Sequence, residues 1–137
     1  MRAAVLAAAA YFAIAFAAGF VLGAVRVLAL APSIGELAAT ACELPLMLAV
    51  SWFAASFTAR RLGVSDAAPD RLIMGGLAFF LLIGAEVALA SVAFDRTISM
   101  QVAAWKQPAG ALGLMGQVAF AAIPFVQARL KGAFTRR

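Results

Sequence analysis

The chain has 137 residues, of which 66% are hydrophobic and 12% charged, with a mean hydropathy of +1.01. Soluble domains run near 45–50% apolar and about 25% charged, so a water-soluble globule is excluded and an all-α integral membrane protein is expected. The net charge of +5 does not imply nucleic acid here, because the basic residues flank apolar runs and follow membrane topology instead. No nucleic-acid partner is expected.

The apolar runs are long and unbroken. A membrane β-barrel needs segments of about 10 residues with alternating polarity, so helices are the expected element. The first run begins after Arg2 and continues past residue 25. It imitates a signal peptide, with Ala29, Leu30 and Ala31 resembling a cleavage site before Pro32. A signal core is only about 7–15 residues long, so the run is read as a retained first span over about residues 3–30, stopped by Pro32. Gly19 and Gly23 give it a small-residue step of the kind that lets helix backbones approach. Arg26 continues that face.

The second span is expected over about 34–59, after a very short turn in which Ser33 and Glu36 have capping-box spacing. This is the stretch ELAATACELPLMLAV, which places Glu43 and Pro45 inside an apolar run. Arg60 and Arg61 close it. A linker with Asp66, Asp70 and Arg71, expected to cap the next helix and sit in water, leads to a third span over about 72–94 carrying Glu86. Asp95 and Arg96 close that span. In the following loop Ile98, Val102 and Trp105 recur at i, i+4 and i+7, the pattern of a short helix lying in the membrane interface; an ordinary loop is the alternative. The fourth span is expected over about 109–128, with Gly110, Gly113, Gln117, Ala121 and Pro124 along one face, and a basic tail over 129–137 follows.

The expectation is therefore a single transmembrane domain over 1–137, a four-helix bundle of antiparallel up-and-down connectivity. Counting Lys and Arg puts eight on one side (Arg2, Arg60, Arg61, Arg71, Arg129, Lys131, Arg136, Arg137) and three on the other (Arg26, Arg96, Lys106). Positive residues favour the cytoplasmic side, so both termini are expected there. The short loops and Ala-rich, His-free composition suit a bacterial inner membrane.

Polar residues inside the spans are the functional lead. At about 1.5 Å rise per residue, Glu43, Glu86 and Gln117 fall at one depth, roughly 12–13 Å from the outer ends of their spans, and the long side chain of Arg26 reaches toward that layer. A charge at a helix centre costs about 2.5–3.5 kcal/mol even on a lenient scale, so such groups face the bundle interior and find partners. If Arg26 neutralises one carboxylate, the other is left without a counter-charge beside a like charge. Pro45 cannot donate to the carbonyl of Ala41, nor Pro124 to that of Phe120, so both are expected to kink their helices and free a carbonyl. Tyr11, Trp52 and the phenylalanines are read as packing or interface anchors.

Cys42 is the only cysteine and there is no histidine, so no zinc or histidine-ligated haem site is expected, and no metal or other cofactor is assigned. No nucleophile with a neighbouring base and no phosphate-binding glycine loop is evident, so catalysis is not expected. Two functions remain. The first is an accessory or assembly subunit of a larger membrane complex, its polar cluster docking or stabilising helices. The alternative is a small homo-oligomeric, proton-coupled transporter or channel with Glu43 and Glu86 as proton carriers. Expected partners are the lipid bilayer and either another membrane protein or further copies of the chain.

Overall fold

The computed structural model describes residues 1–135. Arg136 and Arg137, counted above in the basic tail, lie outside the described residues. The described chain is all-helical: α1 (Arg2–Val25), a wide turn (Arg26–Leu30), α2 (Ala31–Ile34), α3 (Glu36–Arg61), α4 (Ala68–Phe94), α5 (Ile98–Trp105) and α6 (Pro108–Thr135). Four helices are long and apolar enough to cross a membrane: α1 with its extension to Ile34, α3, α4 and α6. This is what a multi-pass membrane protein requires.

The first span outruns its expected end. Pro32 does not stop it; the helix runs on to Ile34. Without an N–H, Pro32 cannot bond the carbonyl of Leu28. The helix adapts by opening one π-type turn, in which the N–H of Ala31 donates to the carbonyl of Arg26 five residues back. The actual stop is Gly35, at φ 85° and ψ 158°, a region open only to glycine. Gly35 is also the N-cap residue of α3. The expected capping box between Ser33 and Glu36 does not form. Ser33 Oγ donates backward to the carbonyl of Ala29 at 3.0 Å, while α3 has no side-chain cap.

Each long helix packs on two others: α1 on α3 and α4, and α6 on the same pair. The bundle is a ring in which α1 faces α6 across the diagonal. Its dry core lies toward the end where α1 begins, built from Ala4, Ala7, Ala8, Tyr11, Ala55, Ala59, Met74 and Ala78. Alanine and glycine let the backbones close up there. A Cβ on Gly75 of α4 would stand 2.0 Å from the carbonyl oxygen of Ala121 on α6, so only glycine permits that contact.

Polar groups tie the same end together. Arg71 was expected in water but is 2% exposed. Its Nε donates to the carbonyl of Ser65 at 3.0 Å and its Nη2 to Asp66 Oδ1 at 2.5 Å, so the guanidinium organises the link between α3 and α4. Burial is tolerated because its donors are satisfied. Asp66 also meets Lys131 of α6 at 3.6 Å, and Asp70 meets the terminal amine of Met1 at 3.4 Å. The cap of α4 is Ala67, without a side-chain bond.

At the opposite end α4 closes on Asp95, in the left-handed conformation at φ 49°, with the N–H of Arg96 reaching the carbonyl of Ala90. A short helix, not an ordinary loop, follows as α5, capped by Thr97, whose Oγ1 accepts from the N–H of Met100. It folds back tightly on α6: a Cβ on Gly110 would lie 2.1 Å from the carbonyl oxygen of Ala104.

Candidate functional site: a polar cavity inside the bundle

Where the core stops, the ring of helices encloses a cavity of about 670 Å³. Its floor is Ala15, Ser51, Leu82 and Phe120. Its walls carry Phe16, Phe20 and Leu48, and it reaches the surface at the α5 end, where the exposed residues Glu36, Arg96 and Gln107 line it. Helix spacing explains its position. Close backbone contact at Gly75 holds α4 on α6 in one half, whereas a Cβ on Gly23 or Gly113, both of which line the cavity, would meet no atom within 4 Å. Gly19 has only the thioether end of Met47 nearby, at 3.4 Å. Of the glycines expected to mediate packing, Gly19, Gly23 and Gly113 all line the cavity instead of a tight seam. Gly110, expected on the small-residue face of the fourth span, does make a tight approach, to Ala104 of α5, whereas the tight approach at Gly75 was not singled out.

Arg26, Glu43, Glu86 and Gln117 come together on this cavity, one from each wall. Arg26 Nε lies 2.6 Å from Glu43 Oε2, with 25% and 16% of the two side chains exposed. The arginine stands at the start of the wide turn, so the feature that Pro32 imposes is also the feature that positions the charge. Gln117 Nε2 donates to Glu86 Oε1 at 2.5 Å. Among the described residues no cation lies within ion-pair distance of Glu86. Gln117 Oε1 is buried with no hydrogen-bond partner. One carboxylate is thus neutralised and the other is held only by an amide whose own acceptor is unfilled.

The two prolines part company. Pro124 is among the most deeply buried side chains, and the Phe120 carbonyl that it leaves free accepts from Tyr11 Oη at 2.9 Å. The Tyr11 and Phe120 rings stack at 4.2 Å between centroids, closing the diagonal just beneath the cavity floor. Tyr11 is thus a structural plug whose role the sequence signals only through Pro124. Pro45 is exposed on the outer side of α3 and does not line the cavity. Gln127, also not singled out, joins α6 to α3 by donating to the carbonyl of Trp52 at 2.7 Å.

No known protein family, curated protein or solved structure matches the chain. The functional reading therefore rests on the cavity itself.

Proposed function

We propose that the chain is a small proton-coupled membrane transport protein, with Glu86 as the proton-carrying group and the central cavity as the solute site. The observation that carries this reading is the unequal treatment of the two glutamates: Glu43 is paired with Arg26, whereas Glu86 faces the same cavity with only an amide beside it. Intramembrane ionisable residues that face a cavity mark ion and proton pathways. The layer is directed inward, which suits a solute better than a docked neighbour. In this proposal the bundle has up-and-down connectivity, sits in a bacterial inner membrane with both termini cytoplasmic, and has no enzymatic activity. The supporting pattern is the eight-to-three division of basic residues. The closed end then faces the cytoplasm and the cavity opens outward.

Reconstitution in vesicles enclosing a pH-sensitive dye tests the proposal. Under an imposed pH gradient the protein is expected to carry protons inward, and Glu86→Gln is expected to reduce the flux at least about tenfold, toward empty vesicles, while helicity is unchanged. Equal flux in both proteins would refute the role of Glu86.

A second reading, an accessory subunit whose polar cluster only locks helices, is favoured by the Arg26 and Glu43 pair, which joins the first span to the second. Native mass spectrometry of protein released gently from its membrane separates the two. A stoichiometric foreign subunit supports the accessory role; a homo-oligomer alone supports transport.

A further inference from the structure

We infer that the cavity binds an amphipathic primary ammonium ion, its N–H donors filling the free acceptor of Gln117 and the Glu86 carboxylate together. Three independent features of the cavity lead there. The charged groups lining it are two arginines, Arg26 and Arg96, and three glutamates, Glu36, Glu43 and Glu86, so with every carboxylate ionised the site is one positive charge short of neutrality. Among the described residues the unfilled groups at its polar level are acceptors: Gln117 Oε1 has no partner and is covered, so a ligand reaches it as the amide turns toward the cavity, and no cation lies within ion-pair distance of Glu86. A buried acceptor left unfilled costs about 1–3 kcal/mol, so a ligand that donates there gains both the hydrogen bond and the ion pair. Finally, the rest of the lining from floor to mouth is largely apolar and aromatic, with Phe120, Phe16, Phe20, Trp105 and Phe94 among its residues. Such walls take up a hydrocarbon body and attract a cation by their ring faces.

The chemistry discriminates among cations. A quaternary ammonium satisfies the charge and the aromatic walls but brings no N–H, leaving Gln117 Oε1 as it is. A neutral alcohol donates one hydrogen bond and brings no charge. A carboxylate repels Glu86 and cannot donate. A proton on Glu86 is the competing occupant, because the protonated carboxyl also donates a hydrogen bond; Arg26, Glu43, Glu36 and Arg96 are the charged groups that set this competition from the surrounding helices. This deepens the transport proposal by naming the solute, and it rests on that proposal's choice of Glu86 as the working carboxyl.

The test is a ligand series on the full chain in nanodiscs of zwitterionic lipid. Trp105 lines the cavity and Trp52 lies on the exposed side of α3, so a Trp52→Phe protein reports the site by Trp105 fluorescence. The probes are 4-phenylbutylammonium, its trimethylammonium analogue, 4-phenylbutanol and 4-phenylbutyrate. The primary ammonium is expected to give a saturable change and to bind at least about tenfold more tightly than the other three, the ratio expected for a hydrogen bond to a charged group. Glu86→Gln and Gln117→Leu are each expected to weaken it about tenfold or more. Equal affinity for the primary and trimethyl ions overturns the inference without any variant, as does an unchanged affinity in Glu86→Gln. Selective ammonium binding without proton flux in vesicles would retire transport and keep the ligand; flux with a flat ligand series would do the reverse.

Discussion

The two halves of this bundle are made from the same four helices and differ in what stands between them. Toward the Met1 end, alanines and Gly75 bring the backbones together over a dry core, and the buried polar groups have partners: Arg71 on Ser65 and Asp66, Gln127 on Trp52, Tyr11 on Phe120. Toward α5, Gly23 and Gly113 stand in open space while Gly110 and Gly116 still press on Ala104 and Leu44, and among the described residues one buried side-chain acceptor lacks a partner. The same residue type therefore has opposite meanings at different positions. Gly75 marks a contact in the closed half, whereas Gly23 and Gly113 enlarge a chamber in the open one. Satisfaction of polar groups divides likewise, as expected if one half secures the fold and the other handles a ligand.

The sharpest way to break this comparison is a pair of identical substitutions. Gly75→Ala puts a methyl into the Ala121 carbonyl and is expected to destabilise toward the upper end of the roughly 1–3 kcal/mol typical of overpacking. Gly113→Ala meets nothing within 4 Å and is expected to be neutral or stabilising by up to about 1 kcal/mol, from helix propensity. Thermal unfolding followed by circular dichroism in one detergent compares them; equal losses would abolish the distinction between the halves.

A smaller effect is expected at the ion pair. Glu43→Gln strands Arg26 in the cavity and is expected to cost about 1–3 kcal/mol, discounted for partial exposure. Adding Arg26→Gln should restore part of it, because removing both members of a buried pair costs less than removing one. A double-mutant cycle with no coupling would show that the contact contributes nothing. The smallest change is at the plug. Tyr11→Phe keeps the ring stack but leaves the Phe120 carbonyl without its donor, and about 1 kcal/mol is expected, read from the same unfolding curves.

The four spans were legible because apolar runs of about 20 residues admit few other structures, and the gathering of Arg26, Glu43, Glu86 and Gln117 followed from depth counting along helices of fixed rise. Three things were not legible, each for a physical reason. Pro32 reads as a stop, yet a helix can widen by one residue to absorb a missing N–H, and only the neighbouring Gly35 supplies a backbone that ends it. Arg71 reads as a solvated charge because two of its three partners are the carbonyls of Val64 and Ser65, beside the carboxylate of Asp66, and backbone acceptors have no sequence signature. The cavity depends on the distance between helices, and periodicity reports which face a residue occupies but not how far the opposing face stands. Gly75, Gly23 and Gly113 look alike in sequence for that reason.

Gly35 is the whole connection between the first two long helices. A link of one residue spans about 3.8 Å from one Cα to the next, so the upper ends of α2 and α3 cannot separate. The other joints are longer: residues 62–67 lie between α3 and α4, and residues 95–107, with α5 among them, lie between α4 and α6. Arg26 and Glu43 stand nine and eight residues on either side of Gly35, so the register that lets the ion pair meet is set by a single backbone position that only glycine can occupy.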